Sequence, residues 1–211
     1  MNHGGDAGAR LRGLAEEEGK SEKEREKLSL GERLLNSRAI LLAEQITKEV
    51  AERVTTKLLL MDQENQTEPI TLYINSPGGD VDAGYGIFDM AHFVTAPVRC
   101  ISAGLTASAA IIVLLAAPKE LRLSLPNSRF LMHQPSTGVR GSTADIQIEA
   151  TEILKMRQRI NELIADETGQ KVEKVEKDTR RNYWINAEEA REYGLISRIV
   201  SSKSELDGRS K

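Results

Sequence analysis

Aromatic side chains make up only 4% of the 211 residues, so a core of ordinary size has to be aliphatic. Cysteine occurs once, as Cys100, which excludes an intramolecular disulfide and fits a reducing, cytoplasmic setting. The three histidines, His3, His92 and His133, stand far apart and show no metal-ligand spacing, so no metal is implied. A basic excess is missing too. The 29 Lys and Arg against 32 Asp and Glu leave a net charge of −3, which argues against nucleic acid as the main partner. No apolar run approaches the roughly 20 residues of a membrane-spanning helix. The longest, Ala107 to Pro118, suits a buried helix instead. The opening stretch MNHGGDAGARLRGLAEEEGKSEKEREK has no apolar segment of the secretory type and too many acids for a transit peptide.

What is present reads as one soluble domain. Composition predicts a disordered extension over 1–30, a single folded domain over 31–200 and a disordered tail over 201–211. Short aliphatic or β-branched runs (RAILL, ITLYIN, VRCISA, LRLSL, RFLMH, LISRIV) alternate with helical patterns, which predicts an α/β layer structure with mainly parallel strands. A long helix is expected from about Ser142 to Glu167. Its apolar stripe is Ile146, Ala150, Ile153, Ile160 and Ile164, interrupted by Arg157. Such a helix is longer than one covering a small sheet needs, so it either reaches a neighbour or packs as a core helix with one solvated face. NAEEAREYG is a compact helix that Asn186 can cap, with Glu189 reaching back and Gly194 closing it.

Three places can carry chemistry. In INSPGGDVDAG a strand turns into a helix through Pro77, Gly78 and Gly79. It is either a plain connection or a turn that aims N–H groups at an oxyanion. It is no phosphate loop, because the Lys and Ser/Thr that should follow are missing. Ser108 heads the apolar helix, where it is either a cap or a nucleophile. Thr106 is also available to cap, and the Ala109 N–H and the helix dipole favour negative charge beside the Ser108 hydroxyl. His133 ends an apolar strand, where it is either structural or a general base.

In this order and spacing, YINSPGGDVDAG, GLTASAA, LPNSRFLMHQP, ADIQIEATEIL and NAEEAREYGLI resemble the proteolytic subunit of the ATP-dependent Clp protease, from about Glu32 to Val200. The resemblance implies a spiral α/β fold shared with the crotonase enzymes, with a protruding handle made of the long helix and the 136–142 loop. It also implies heptameric rings stacked face to face, either with themselves or with a second paralog. Unfolded proteins or peptides would be the substrates, fed by a Clp-type ATPase that consumes the ATP, so that no cofactor is implied in this subunit. By the same resemblance, Ser108 matches the nucleophile, His133 the general base, and the N–H groups of Gly79 and Ala109 the oxyanion hole. Tyr73 and Phe93 match aromatic positions of the ATPase-docking pocket.

The chain also departs from the family pattern. Asn182 falls where the third catalytic residue, an aspartate, is expected. Arg180 falls where relatives carry an acid that pairs across the ring interface, while Arg181 keeps the basic partner. Ala109 replaces a larger residue, Thr71 an aromatic one, and EREKLSLGERLLNSR does not match the axial N-terminal segment. These departures imply a serine endopeptidase subunit of low or partner-dependent activity. The alternatives are a non-catalytic ring subunit and, more remotely, an acyl-CoA hydratase or isomerase on the related fold.

Overall fold

The computed structural model describes residues 33–34, 36–136, 138 and 140–207. The expected disordered extension and most of the axial segment lie outside the described residues. The chain up to Arg38 is one unit, in which the Ser37 N–H closes a turn on the Arg33 C=O at 3.1 Å. All the elements below lie in the second unit, Ala39–Lys211.

The chain order is β1 (Ala39–Leu42), α1 (Lys48–Glu64), β2 (Ile70–Ser76), α2 (Val81–Phe93), β3 (Val98–Ala107), α3 (Ala109–Leu115), β4 (Arg122–Ser124), β5 (Arg129–Met132), α4 (Thr143–Thr168), α5 (Val172–Thr179), β6 (Tyr183–Asn186), α6 (Ala187–Tyr193) and β7 (Arg198–Ile199). Strands β1-β2-β3-β4-β7 form a parallel sheet in that order. β5 also pairs parallel with β3, and β6 runs antiparallel to β5. The sheet is therefore the mainly parallel one the alternation predicts. β6 is the addition: YWIN is too short to stand out as a strand until β5 is there to pair with it.

Each helix has a local reason to start and one face to bury. Thr47 caps α1 by accepting from the Val50 N–H at 3.3 Å, and Val50, Val54, Leu58 and Met61 form its buried face. Every residue of α3 is buried, as its unbroken apolar sequence predicts. In α6, Asn186 and Glu189 exchange capping bonds at 3.0 and 2.8 Å, and Gly194 closes the helix at φ 95°.

The long helix α4 runs 26 residues behind its cap Ser142, which is bonded reciprocally with Asp145. Its apolar stripe is only half used. Ile160 and Ile164 are buried, whereas Ile146 and Ala150 are exposed and Ile153 is half-buried. The N-terminal half thus extends beyond the sheet it would need to cover, at about 1.5 Å per residue.

Two features of the body were not expected. Arg122 sits inside the sheet with 2% exposure. Its Nε donates to the Ala117 C=O at 2.6 Å and Nη1 to the Glu167 C=O at 2.9 Å, while Nη2 pairs with the Glu167 carboxylate. This buried charge ties the end of α3 to the end of α4, and it is tolerable only because its donors are so well occupied. The tail is the second. Disorder was expected from 201, but Lys203–Asp207 form a 3₁₀ turn, and Leu206 packs on the buried cluster of Ile101, Leu123 and Val200. One apolar side chain with a place to pack anchors this turn.

Cys100 lies fully buried with Sγ 3.5 Å from the Val113 C=O, and burial pushes its thiol up to about 12. Since the thiolate is the nucleophile, Cys100 is inert at neutral pH. Native protein is expected to resist iodoacetamide for hours at pH 8, while urea-unfolded protein takes up one equivalent. Equal rates in the two states would show that the core is not closed over this residue.

Candidate active site

The site is made by one strand changing neighbours. The first half of β3 pairs with β4, from Cys100↔Arg122 to Ser102↔Ser124. Its second half pairs with β5, from Leu105↔Arg129 to Ala107↔Leu131. Gly104 stands at the changeover with φ 118°, and a Cβ there would come within 2.7 Å of Asn75 Oδ1. Only glycine takes that backbone without strain. The switch brings the C-terminal end of β3, and so Ser108, beside the end of β5, and so His133.

Ser108 does not act as a helix cap. It occupies the N-cap position of α3, but its side chain makes no capping bond. Thr106, the other expected cap, is buried within β3 and donates to Ser102 Oγ at 3.0 Å. Ser108 also has φ 56° and ψ −124°, which costs a non-glycine residue on the order of 1–3 kcal/mol. The Ser108 N–H donates to the Leu131 C=O at 2.9 Å and helps hold the turn in place. A serine on a strained strand-to-helix turn exposes its hydroxyl instead of folding it back on the helix.

The Pro77–Gly79 turn abuts the same point. A Cβ on Gly78 would come 2.7 Å from Ser108 Cβ and 2.9 Å from the Ala109 nitrogen, so no side chain fits between them. Ile46 brackets Gly79, donating its N–H to the Gly78 C=O at 2.8 Å and accepting the Asp80 N–H at 2.9 Å. Bonds of neighbouring residues along an extended segment point to alternate sides, so the Gly79 N–H is turned away from Ile46.

A cleft of about 620 Å³ contains Ser108 and His133 in its lining, together with Gly78, Gly79 and Leu131. The charged side chains lining it, Asp80, Asp82, Glu149 and Glu152, are all acidic. Asp80 also caps α2 by accepting from the Ala83 N–H at 2.8 Å, and Glu152 pairs with Lys155 at 2.7 Å. A small apolar recess lined by Ile111, Ile112, Met132, Ile160 and Ile164 opens beside Ser108 and His133.

His133 also lines a second cavity, of about 410 Å³, with Gln134, Ser136, Arg180, Arg181 and Asn182. The β5–β6 ladder explains Asn182. It runs from Arg129↔Asn186 to Met132↔Tyr183, so His133 and Asn182 are the next residues of each segment beyond its last pair. Asp178, the nearest acid upstream of Asn182, is engaged elsewhere, accepting from Lys174 Nζ at 2.8 Å and Tyr193 Oη at 3.1 Å. Burial, together with that carboxylate, holds the Tyr193 phenol well above its usual range. The structure thus gathers Ser108, His133, Asn182, Gly79, Arg180 and Arg181 around two adjoining cavities. Tyr73 and Phe93 lie apart from both. Tyr73 is half-buried against Ile101, Leu123 and Val200, and Phe93 ends α2 with 79% exposure.

The model of the Clp protease family matches residues 21–203. The chain belongs to the Clp protease family. Among curated relatives, it is 52% identical over 178 residues to ATP-dependent Clp protease proteolytic subunit 2 of Treponema denticola, covering 84% of this chain and 89% of that one. It is 47% identical over 173 residues to proteolytic subunit 3 of Rhizobium etli, covering 82% and 89%. Among solved structures it resembles an asparagine-to-aspartate mutant of ClpP1 from Listeria monocytogenes. That likeness has a TM-score of 0.78 and 43% identity, and covers 84% of this chain and 99% of that one. The chain is accordingly a proteolytic subunit of a Clp protease with the α/β fold of that family, and the acyl-CoA reading falls away. Among the described residues no helix is long and apolar enough to cross a membrane, and no cluster of His, Cys, Asp or Glu can hold a metal ion.

Sequence reasoning missed Gly104 and the closeness of Gly78 to Ser108. The first is one glycine in a run that reads as uninterrupted strand. The second is a contact between turns 30 residues apart.

Proposed function

We propose that this chain is a serine endopeptidase subunit in which Ser108 is the nucleophile, His133 the general base and Asn182 an uncharged third member. The observation that carries this is the position of His133 between two cavities, with Ser108 lining one and Asn182 the other. In the reaction, His133 takes the Ser108 Oγ proton as the oxygen attacks the scissile carbonyl. The N–H groups of Gly79 and Ala109 receive the oxyanion. The Ala109 N–H belongs to the first turn of α3, where no intrahelical carbonyl is available to it. His133 then protonates the leaving amine, and a water molecule repeats the sequence to release the acyl group.

Asn182 can accept from the His133 ring N–H through its amide oxygen and hold the tautomer. It cannot stabilise the imidazolium with charge. Removing that charge from a Ser-His-Asp triad lowers kcat by about 10⁴. Intrinsic activity is therefore low or dependent on a partner. The strain stored at Ser108 favours this reading over a purely structural subunit, which has no use for a strained serine in a cleft.

The subunit works on unfolded proteins or peptides in the cytoplasm, in heptameric rings stacked with themselves or with a second paralog. Arg180 and Arg181 contribute to contact between rings and require an acid from another subunit. Exposed Phe93 and half-buried Tyr73 help dock the Clp-type ATPase. Labelling with a fluorophosphonate followed by peptide mapping tests the site. The label is expected on Ser108, alone or after mixing with a complete-triad subunit; no label under either condition would leave only the structural role.

A further inference from the structure

The β5–β6 ladder stops at Met132↔Tyr183, one residue short of both His133 and Asn182. The next bond joining these two segments is Gln134 N–H to the Thr179 C=O, at 2.8 Å. His133 and Asn182 therefore sit in a gap between two anchor points, and the second anchor rests on a buried polar knot. Asn161 of α4 is 2% exposed and Thr179, the last residue of α5, is 1% exposed. Thr179 Oγ1 lies 2.9 Å from the Asn161 amide and 2.9 Å from the Val175 C=O.

A hydroxyl has a single proton to donate. The Thr179 hydroxyl donates toward both Asn161 Oδ1 and the Val175 C=O, which share that proton. The contact with Asn161 fixes the end of α5 to α4 just where the chain turns toward Asn182.

We infer that Asn161 is a positioning residue for catalysis: through Thr179 it holds the segments that present His133 and Asn182 at a fixed spacing. The inference rests on the proposed roles of Ser108, His133 and Asn182. Without the amide, Thr179 keeps only its bond within α5, and the second anchor can shift. A displacement of about 1 Å remote from the chemistry can cost about 10²-fold in rate.

The test is the first-order rate constant for acylation of Ser108 by a fluorophosphonate, read separately from the fraction labelled at saturation. Asn161→Ala and Thr179→Val are expected to slow acylation by about 10- to 100-fold, with the saturating fraction unchanged. Thr179→Ser, which keeps the hydroxyl, is expected to stay within about 3-fold of the parent. For peptide hydrolysis kcat falls and KM holds. Acylation of Asn161→Ala at the parent rate overturns the inference, and so does a loss confined to the saturating fraction, which would mark a purely structural role. If Asn161→Ala does not fold, equal rates for Thr179→Ser and Thr179→Val overturn it. Absence of Ser108 labelling in the parent protein is a different result, because it removes the catalytic reading itself.

Discussion

Replacing Asn182 by aspartate is expected to raise kcat for a fluorogenic peptide by between about 10² and 10⁴, with little change in KM. The upper figure corresponds to about 5 kcal/mol of transition-state stabilisation. Three features favour the full effect. Residue 182 already lines the same cavity as His133, so aspartate needs no large backbone movement. Asparagine and aspartate have nearly the same shape, so the cavity is not disturbed. Arg180 and Arg181 line that cavity and favour the ionised carboxylate the imidazolium needs. The same arginines can also draw the new carboxylate away from the histidine, which is why the lower figure is included. Unchanged kcat in a folded Asn182→Asp protein would show that residue 182 is not the third member.

Ser108→Ala is expected to abolish covalent labelling, yet to lower peptide turnover less than in a complete triad. Triad members act as a unit and their losses do not add. Removing the serine or histidine alone costs about 2 × 10⁶ in kcat, while removing the acid alone costs about 3 × 10⁴. A protein already without the acid thus has only about 70-fold left to lose. In the Asn182→Asp background the same substitution should cost several powers of ten more. This pair of measurements is diagnostic. Turnover at parent level after Ser108→Ala would assign the activity to another residue or another protein. An equal fold-loss in both backgrounds would mean that Ser108 and residue 182 do not act together.

Local structure was legible wherever the signal and its cause lie within a few residues. The cap of α6 depends on a side chain and a backbone three positions apart, so NAEEAREYG announces it. The burial of α3 follows from a stretch with nothing polar to expose. The α4 stripe was legible as periodicity, but which half of it is covered was not, because that depends on where the sheet ends. The turn at 203–207 was not legible for the same reason, since only the fold supplies Ile101, Leu123 and Val200 for Leu206 to pack on.

For the site, residue types and order made Ser108 and His133 candidates that each kept a structural alternative, and only the resemblance to the Clp family pointed to Asn182. The sequence by itself supplied the candidate groups and, through that resemblance, the expectation that the third of them is uncharged. Tertiary structure alone decided that Ser108 is a strained, uncapping residue, since its φ of 56° is imposed by the Leu131 carbonyl and by the turn at Gly78 packed against it. It alone brought His133 beside Ser108, through a glycine that lets β3 change partners. It alone brought Asn182 to the cavity that His133 lines, through a four-residue strand that exists only when paired. Spacing along a chain reports bonds made within one or two turns, whereas these three arrangements depend on contacts between segments tens of residues apart.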